Sequence, residues 1–436
     1  MRRESWISTS HALGLSSLSG AIAVFAWNGD AISLPLALIF PLIWSRAKTR
    51  FAAALISASY FLVASRDLPL SVAEYFNADI LLGLGVWIAS AFSFVLVHIL
   101  LWRQAADWRR AFCYALIMAL TGFPPFGITG FAHPLTAAGI VFPGWGWFGL
   151  FATVILACCL VTRHWWMAAL VLGAFWLWSS VPNLSSKIQM VSPKASTEIF
   201  SPASSEAKPL ALLAAGPAAG QTALPKARPK AWPKTWKGVE LHMGMSLGRD
   251  PSLRHQRELL AIVEKAAGRD KYFILLPESA LGLWTPARER FWTQSLQSRA
   301  LTVIAGATLI NADGYDNVIL ALDESGSRVI YRQRMPVPIS MWRPWHTWTG
   351  QSGGTPARVF ENPVVEFDGI TVAPLICYEQ LLLWPVLHSM AYDPDLLIVI
   401  GNGWWTAGAK IVAVQRASAT AWARLFSMPL VMSFNI

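Results

Sequence analysis

Cys377 closes an apolar run, ITVAPLIC, and is followed at once by Tyr378 and Glu379. A thiol placed where a strand gives way to a helix is exposed at the turn, and a helix N-terminus lowers its pKa, so this is a place for a nucleophile. The alternative is a buried, inert cysteine. Glu278 ends a second apolar run, YFILLPE, directly after Pro277. A carboxylate at such a strand tip can serve as general base, its pKa raised by partial burial. It can equally be a helix cap or a turn residue. The chain has four cysteines, Cys113, Cys158, Cys159 and Cys377. The first three fall in apolar stretches, where cysteine packs as a small hydrophobe. Cys377 thus has no disulfide partner in its own half of the chain, and an unpaired thiol in an oxidising compartment is a liability unless it has a use. The histidines of that half, His242, His255, His346 and His388, show no metal-ligand spacing. GNGWW (401–405) follows a strand but lacks the lysine of a phosphate-binding loop.

The elements that must position these residues alternate between strand and helix over residues 238–436. GVELHMGM, KYFILLPES, LTVIAGATLI, ITVAPLICYE, LLIVIGNGWW and PLVMSFN read as strands, and NVILALD with SRVIYRQRM as a strand pair around a Glu-Ser-Gly-Ser turn. HQRELLAIVEKAAG, with Asp250 as its cap, PARERFWTQSLQSRA and the stretch from about 408 to 425 read as helices. Alternation of this kind predicts a layered α/β domain.

The first 181 residues have a different character. The chain is 54% hydrophobic and only 14% charged, with 23 Trp in 436 residues, which excludes an ordinary cytosolic protein. Apolar stretches near 11–27, 31–45, 51–65, 79–102, 111–130, 146–162 and 165–181 predict about seven membrane spans. Arg2, Arg3, Arg46, Lys48, Arg50, Arg103, Arg109, Arg110 and Arg163 fall in alternate loops. That pattern puts the N-terminus in the cytoplasm and everything after Ser180 on the far side, the periplasm in a bacterium. Past their first residues, His11 and Asp79, the predicted spans hold no Asp, Glu, Lys or Arg, which argues against an ion or proton pathway; His98 is the one histidine within them. Residues 182–237 read as a linker rich in Pro, Ala and Lys. Its end, KARPKAWPKTWK (226–237), is either a solvated tether or a contact with anionic headgroups through its basic residues and Trp. Facing away from the cytoplasm, the segment is not expected to bind nucleic acid.

LLPES around Glu278, LICYE around Cys377 and GNGWW after the next strand, in that order, resemble the nitrilase, or carbon–nitrogen hydrolase, superfamily. The resemblance implies an αββα sandwich bearing a Glu base, a Lys and a Cys nucleophile. The membrane region ahead of it is similar to that of apolipoprotein N-acyltransferases, notably over FPPFGITGFAHPLTAAGIVFPGWGWFGL (123–150), and the short overall length resembles their plasmid conjugal-transfer relatives. The fold this implies is a multi-span helical membrane domain followed by a nitrilase-like sandwich, expected to be shortened at its C-terminus. The site implied is Cys377 as nucleophile, Glu278 as base, and Gln333 at the family's Lys position in IYRQRMPVP (330–338), with the Tyr378 amide as an oxyanion donor and Glu379 supporting Glu278 or an amine acceptor. Gln333 can donate a hydrogen bond but brings no charge. Arg332 and Arg334 point to the opposite face of a strand from Gln333 unless a bulge shifts the register. Met341 stands where the acyltransferases carry a further Glu, in a loop with Trp342 and Trp345 that suits a greasy lid. The resemblance implies acyl transfer from a membrane lipid to a lipoprotein or other amine acceptor, with no metal or organic cofactor. It also implies proteins of a conjugation apparatus as partners. A nitrilase-fold scaffold without catalysis is the alternative that the missing Lys favours.

Overall fold

The computed structural model describes residues 2–128, 131–180, 236–250, 252–267, 272–312, 314–406 and 408–436. The N-terminal region is helical. Two of its apolar stretches form helices long and apolar enough to cross a bilayer: Thr9–Ala26, within α1 (Arg2–Ala26), and α5 (Ile80–Leu100). A third span arises if α3 (Arg50–Ala64) and α4 (Leu68–Phe76), bent by 51° at their junction, count as one. The other stretches expected to span are shorter, for local reasons. Residues 31–38 form a 3₁₀ turn around Pro35, and the α-helix begins only at α2 (Ile39–Ser45). α6 (Trp108–Gly122) stops just ahead of Pro124 and Pro125. A four-residue helix, α7 (Ala138–Val141), leads into α8 (Gly146–Leu160) and α9 (Trp165–Ser180), of 15 and 16 residues.

Outside, these helices present Phe51, Leu81, Phe92, Phe148 and Leu177, all exposed. Inside, Phe40, Tyr60, Phe61 and Phe94 pack edge and face around His98, whose Nδ1 lies 2.7 Å from the Phe94 carbonyl. His98 is a hydrogen-bonded packing residue.

Most of the basic linker lies outside the described residues. Its last residues depart from a surface role: Trp236–Gly238 is strand β1, and the Trp236 ring is buried, stacked on Phe273 at 4.8 Å. β1 opens a five-stranded sheet with β2 (Tyr272–Leu275), β3 (Leu301–Asn311), β4 (Gly314–Asp323) and β5 (Gly326–Arg332), paired in chain order. β1, β2 and β3 run parallel; β3, β4 and β5 are antiparallel. A second sheet orders β6 (Val365–Phe367), β7 (Ile370–Ile376), β8 (Leu396–Asn402) and β9 (Leu430–Asn435), with β7, β8 and β9 parallel.

Strict alternation of apolar side chains stacks the layers. Phe273, Leu275 and Ile304 from one sheet meet Val372, Ile376, Ile398 and Ile400 from the other between the sheets. Ile274, Leu276, Val303 and Ala305 face the opposite way, onto Leu259 and Val263 of α10 (Leu253–Ala266) and Trp292 of α11 (Pro286–Leu296). The cap of α10 is Ser252, whose Oγ accepts from the His255 amide at 3.3 Å, not Asp250, which accepts from the Ser252 amide. Ala373, Leu375, Leu397 and Val399 face α13 (Leu383–Met390) and α14 (Ile411–Leu425). The order helix, sheet, sheet, helix is the αββα sandwich that the resemblance implies. Its last layer does not end in solvent. α14 and α13 share one continuous apolar core with the N-terminal helices. A Cβ at Gly139 of α7 would lie 1.7 Å from the Ala421 carbonyl oxygen, so only glycine lets the two backbones meet there.

Candidate active site

The site lies at the C-terminal ends of β2 and β7, one from each sheet, where parallel strands leave a crevice. β7 ends at Ile376 and the chain turns through Cys377 at φ 49°, a left-handed conformation that is costly outside glycine. The turn aims the thiol at the tip of β2. Glu278 waits there, after Leu276 and Pro277, and a Cβ at Gly306 would lie 2.6 Å from the Glu278 Cα, so β3 passes directly beneath it. The Glu278 carboxyl and Cys377 thiol are close enough to shift each other's titration, and both sense the Asn402 backbone at the end of β8.

The structure places each residue singled out from the sequence. Glu278 and Cys377 face one another. Gln333 is buried just behind them, its Oε1 accepting from Asn317 Nδ2 at 3.0 Å and its Nε2 donating to the Ile376 carbonyl at 3.3 Å. The same Asn317 Nδ2 donates to Glu278 Oε1 at 2.8 Å. A polar chain thus runs from Glu278 through Asn317 and Gln333 to the peptide before Cys377. The pairing of β4 with β5 does slip near Ile319 and Leu320, yet neither arginine reaches the thiol. Arg332 pairs with Asp316, and Arg334 is buried against Tyr331, Ser389 and His388.

Glu379 faces away from the thiol. Its carboxylate accepts from the amides of Arg334 at 2.7 Å, Met335 at 3.0 Å and Ile376 at 2.8 Å, and from the Tyr331 hydroxyl at 2.8 and 2.9 Å. It fastens the loop after β5 to the end of β7 and gives no hydrogen bond to Glu278. Tyr378 donates its hydroxyl to the Ile128 carbonyl of the helical region at 2.8 Å.

Burial pushes Glu278 up to about 7, against hydrogen bonds from Asn317, Cys377 and Asn402 that favour its carboxylate. Burial, and then the neighbouring Glu278 charge, push the Cys377 thiol well above its ordinary range. This reverses the expectation of a lowered thiol pKa. Cys377 opens a single five-residue 3₁₀ turn rather than a helix with an extended dipole, and the thiol is desolvated. Near pH 7 Glu278 is thus divided between acid and carboxylate, and Cys377 beside it is a neutral thiol.

Two residues at the site escape sequence reasoning. Asn317 has one visible signal, a polar side chain leading an otherwise apolar strand. Gln415, on α14, places Nε2 3.6 Å from Cys377 Sγ, and no motif marks it. Above the pair opens a cavity of about 520 Å³. Leu68, Val72 and Val86 of α4 and α5 line one side, and Ile339 and Met341 of the loop after β5 another. Arg249, the one cation among the described lining residues, rests 4.2 Å over the Trp404 ring.

A family model described as Carbon-nitrogen hydrolase matches residues 277–424. The chain is 47% identical over 421 residues to a "Probable conjugal transfer protein TraB" of Sinorhizobium fredii, covering 97% of each. It is 45% identical over 428 residues to the "Conjugal transfer protein TraB" of Agrobacterium fabrum, covering 96% of this chain and 91% of that one. Among solved structures it is similar to an amidase of the nitrilase superfamily from Nesterenkonia, at 14% identity and a TM-score of 0.32, over 46% of this chain and 74% of the other.

Proposed function

Because the chain belongs to the TraB family of conjugal transfer proteins and carries a carbon–nitrogen hydrolase domain, we propose that it is a membrane-embedded acyltransferase working through a Cys377 thioester. One observation carries the reading. Glu278 and Cys377 together line the floor of a cavity whose walls come from the apolar helices as well as the sandwich.

The steps follow from the geometry. Glu278, as carboxylate, takes the Cys377 proton while the thiolate attacks an acyl ester carbonyl. The Tyr378 backbone N–H, next along the turn, is the oxyanion donor that the resemblance implies. The tetrahedral adduct collapses, the ester C–O bond breaks, and Glu278 returns its proton to the leaving alkoxide. An amine then attacks the thioester, Glu278 accepts the amine proton, and the amide leaves as sulfur recovers a proton. Water in place of the amine would make the protein a hydrolase. The donor is a membrane lipid, because the cavity wall formed by α4 and α5 is apolar. The acceptor is a lipoprotein or another amine within the conjugation apparatus. At a bacterial inner membrane, the arginines flanking the helices favour a cytoplasmic N-terminus and, with an odd number of spans, a periplasmic sandwich. A periplasm-dependent reporter fused after Ser180 should be active; activity of a cytoplasm-only reporter would reverse the topology.

The second reading is a nitrilase-fold scaffold without catalysis, favoured by Gln333 standing where the family has a cation. The deciding experiment incubates purified protein with bacterial phospholipid and measures intact mass beside Cys377→Ala. We expect a gain of one acyl chain, removed by hydroxylamine and absent from the variant. A Cys377 that takes no acyl group from any lipid class and resists thiol-reactive probes would support the scaffold.

A further inference from the structure

Beyond the Asn402 backbone, which Glu278 shares, the proposed chemistry leaves the thiolate short of stabilising partners. Glu278 becomes an acid once it has taken the proton, and Gln333 spends its amide on Asn317 and the Ile376 carbonyl. The titratable groups facing the sulfur are Glu278 after β2 and Tyr75 on α4, with Glu379 two residues along its own turn. Arg249 shares the cavity but lies on the Trp404 ring. The group placed to answer a negative sulfur is Gln415. It is buried, and its Nε2 lies 3.6 Å from Sγ, a reach suited to a sulfur acceptor.

The helix that carries Gln415 is held at both ends by the N-terminal region. At its start the Lys410 amide donates to Asp67 Oδ2 at 3.0 Å, in the bend between α3 and α4. At its end the Gly144 amide donates to the Arg424 carbonyl at 2.8 Å. Between them Ala417, Ala419, Ala421 and Ala423 are all buried, and Gly139 admits the Ala421 carbonyl at backbone distance. Small residues bring the two backbones close, so the height of Gln415 over the site is fixed by the helical region and not by the sandwich alone.

We propose that Gln415 is a third catalytic side chain, donating its amide N–H to the Cys377 thiolate in place of a cation, and that docking of α14 on the N-terminal helices sets its position. The proposal rests on Cys377 being the nucleophile. A hydrogen bond to the charged form favours that form, so Gln415 increases the fraction of thiolate at a given pH.

The test measures the rate at which iodoacetamide alkylates Cys377 in the full-length, detergent-solubilised protein from pH 6 to 11 (roughly the range over which a raised thiol titrates). Peptide mass mapping separates Cys377 from the other three cysteines. Gln415→Met keeps the volume and removes the donor; Gln415→Glu keeps the shape and puts an acceptor at the sulfur. A lost hydrogen bond to a charged group changes an equilibrium by roughly ten- to a hundredfold, so the alkylation midpoint should rise by about one to two pH units in Gln415→Met, and further in Gln415→Glu. A purely structural role predicts equal midpoints in the two variants, whatever their melting temperatures, and that result would overturn the proposal. Gly139→Ala provides the second arm. It pushes α14 away without touching the site, and should move the midpoint in the same direction as Gln415→Met. An unmoved midpoint in a variant whose melting temperature has dropped would sink the docking half. Wild-type Cys377 that fails to react at any pH would instead remove the nucleophile itself, a result distinct from equal midpoints.

Discussion

Two buried glutamates flank the Cys377 turn, and their surroundings differ in kind. Around Glu379 every neighbour is a donor: three backbone amides, the Tyr331 hydroxyl and, behind it, the Arg334 guanidinium. Burial raises its pKa, and the Arg334 charge and the hydrogen bonds hold it back. Around Glu278 there is one side-chain amide, one backbone group and a thiol, with a cavity above. A carboxylate with its lone pairs satisfied by fixed backbone has nothing left to offer a substrate. One poised near 7 with a thiol proton beside it does. Structure therefore falls to Glu379 and chemistry to Glu278, although both stand next to the same cysteine.

The most forceful way to break that assignment is to exchange the losses. Glu278→Gln should reduce thioester formation at least about a thousandfold, since among the described residues Glu278 is the base that faces the sulfur in the cavity. Its effect on stability should be small and of a definite sign. The folded pKa of Glu278 lies above its ordinary value, so the wild-type protein gains stability from this group below about pH 4.5 and loses it as pH rises to about 7. Melting temperatures from pH 4.5 to 7 should therefore fall more in the wild type than in Glu278→Gln. Arg334→Met should do the reverse. Removing the cation beside buried Glu379 costs roughly 3–5 kcal/mol of stability and lets the Glu379 pKa rise further, so the loss grows as pH rises. Thermal melts and thioester rates on the same two variants check both. If Arg334→Met kills chemistry at full stability, the division between the two glutamates is wrong.

A smaller change sharpens the same contrast. Gln333→Lys restores the cation that the resemblance implies, on the Glu278 side of the turn. The lysine must displace hydrogen bonds to Asn317 and the Ile376 carbonyl, so some stability is lost. A cation within reach of both Glu278 and Cys377 favours their charged forms, and thioester formation should rise by roughly tenfold at pH 7. A fall in rate would mean that the polar chain from Glu278 to Ile376 matters more than charge.

How much of this is legible in the sequence depends on what holds each residue. Glu278 and Cys377 each end an apolar run, and strand ends can be read from composition. The alternation of strands and helices likewise points to the sandwich, because each strand buries two faces and shows it as a run of Val, Ile and Leu. Gln415 is invisible, and Asn317 shows only as a polar residue ahead of an apolar run. Gln415 reaches the thiol only through the docking of α14, and Asn317 reaches Glu278 only through the register of the sheet. The direction of the thiol shift is misread for a related reason: the pattern suggests a helix dipole, and the structure supplies a single 3₁₀ turn and a desolvated sulfur. Trp236 is legible as amphipathic and ambiguous in role, until pairing with β2 puts it inside the sandwich. In the N-terminal region the apolar stretches are plain, but the prolines that shorten several of them only declare their effect on helix length in three dimensions.

The smallest expected effect concerns Arg249, at the rim of the cavity and far from the turn's own electrostatics. Its side chain is exposed and lies over Trp404, whose ring stacks on Tyr75 of α4 at 5.9 Å. The backbone that carries it is pinned: Arg288 donates to the carbonyls of Leu281, Leu283 and Asp250. A cation so held at the mouth of an apolar cavity suits a donor whose tail is greasy and whose head is anionic. Because the guanidinium is exposed, its attraction is screened and worth little, roughly 0.2–1 kcal/mol. Arg249→Gln should therefore raise the apparent KM for an anionic phospholipid by only about two- to fivefold, less at high salt, and leave an uncharged acyl ester unaffected. Kinetics on the two donors in parallel decide it. An equal change for both would mean that Arg249 shapes the rim, and that the head of the donor is bound elsewhere.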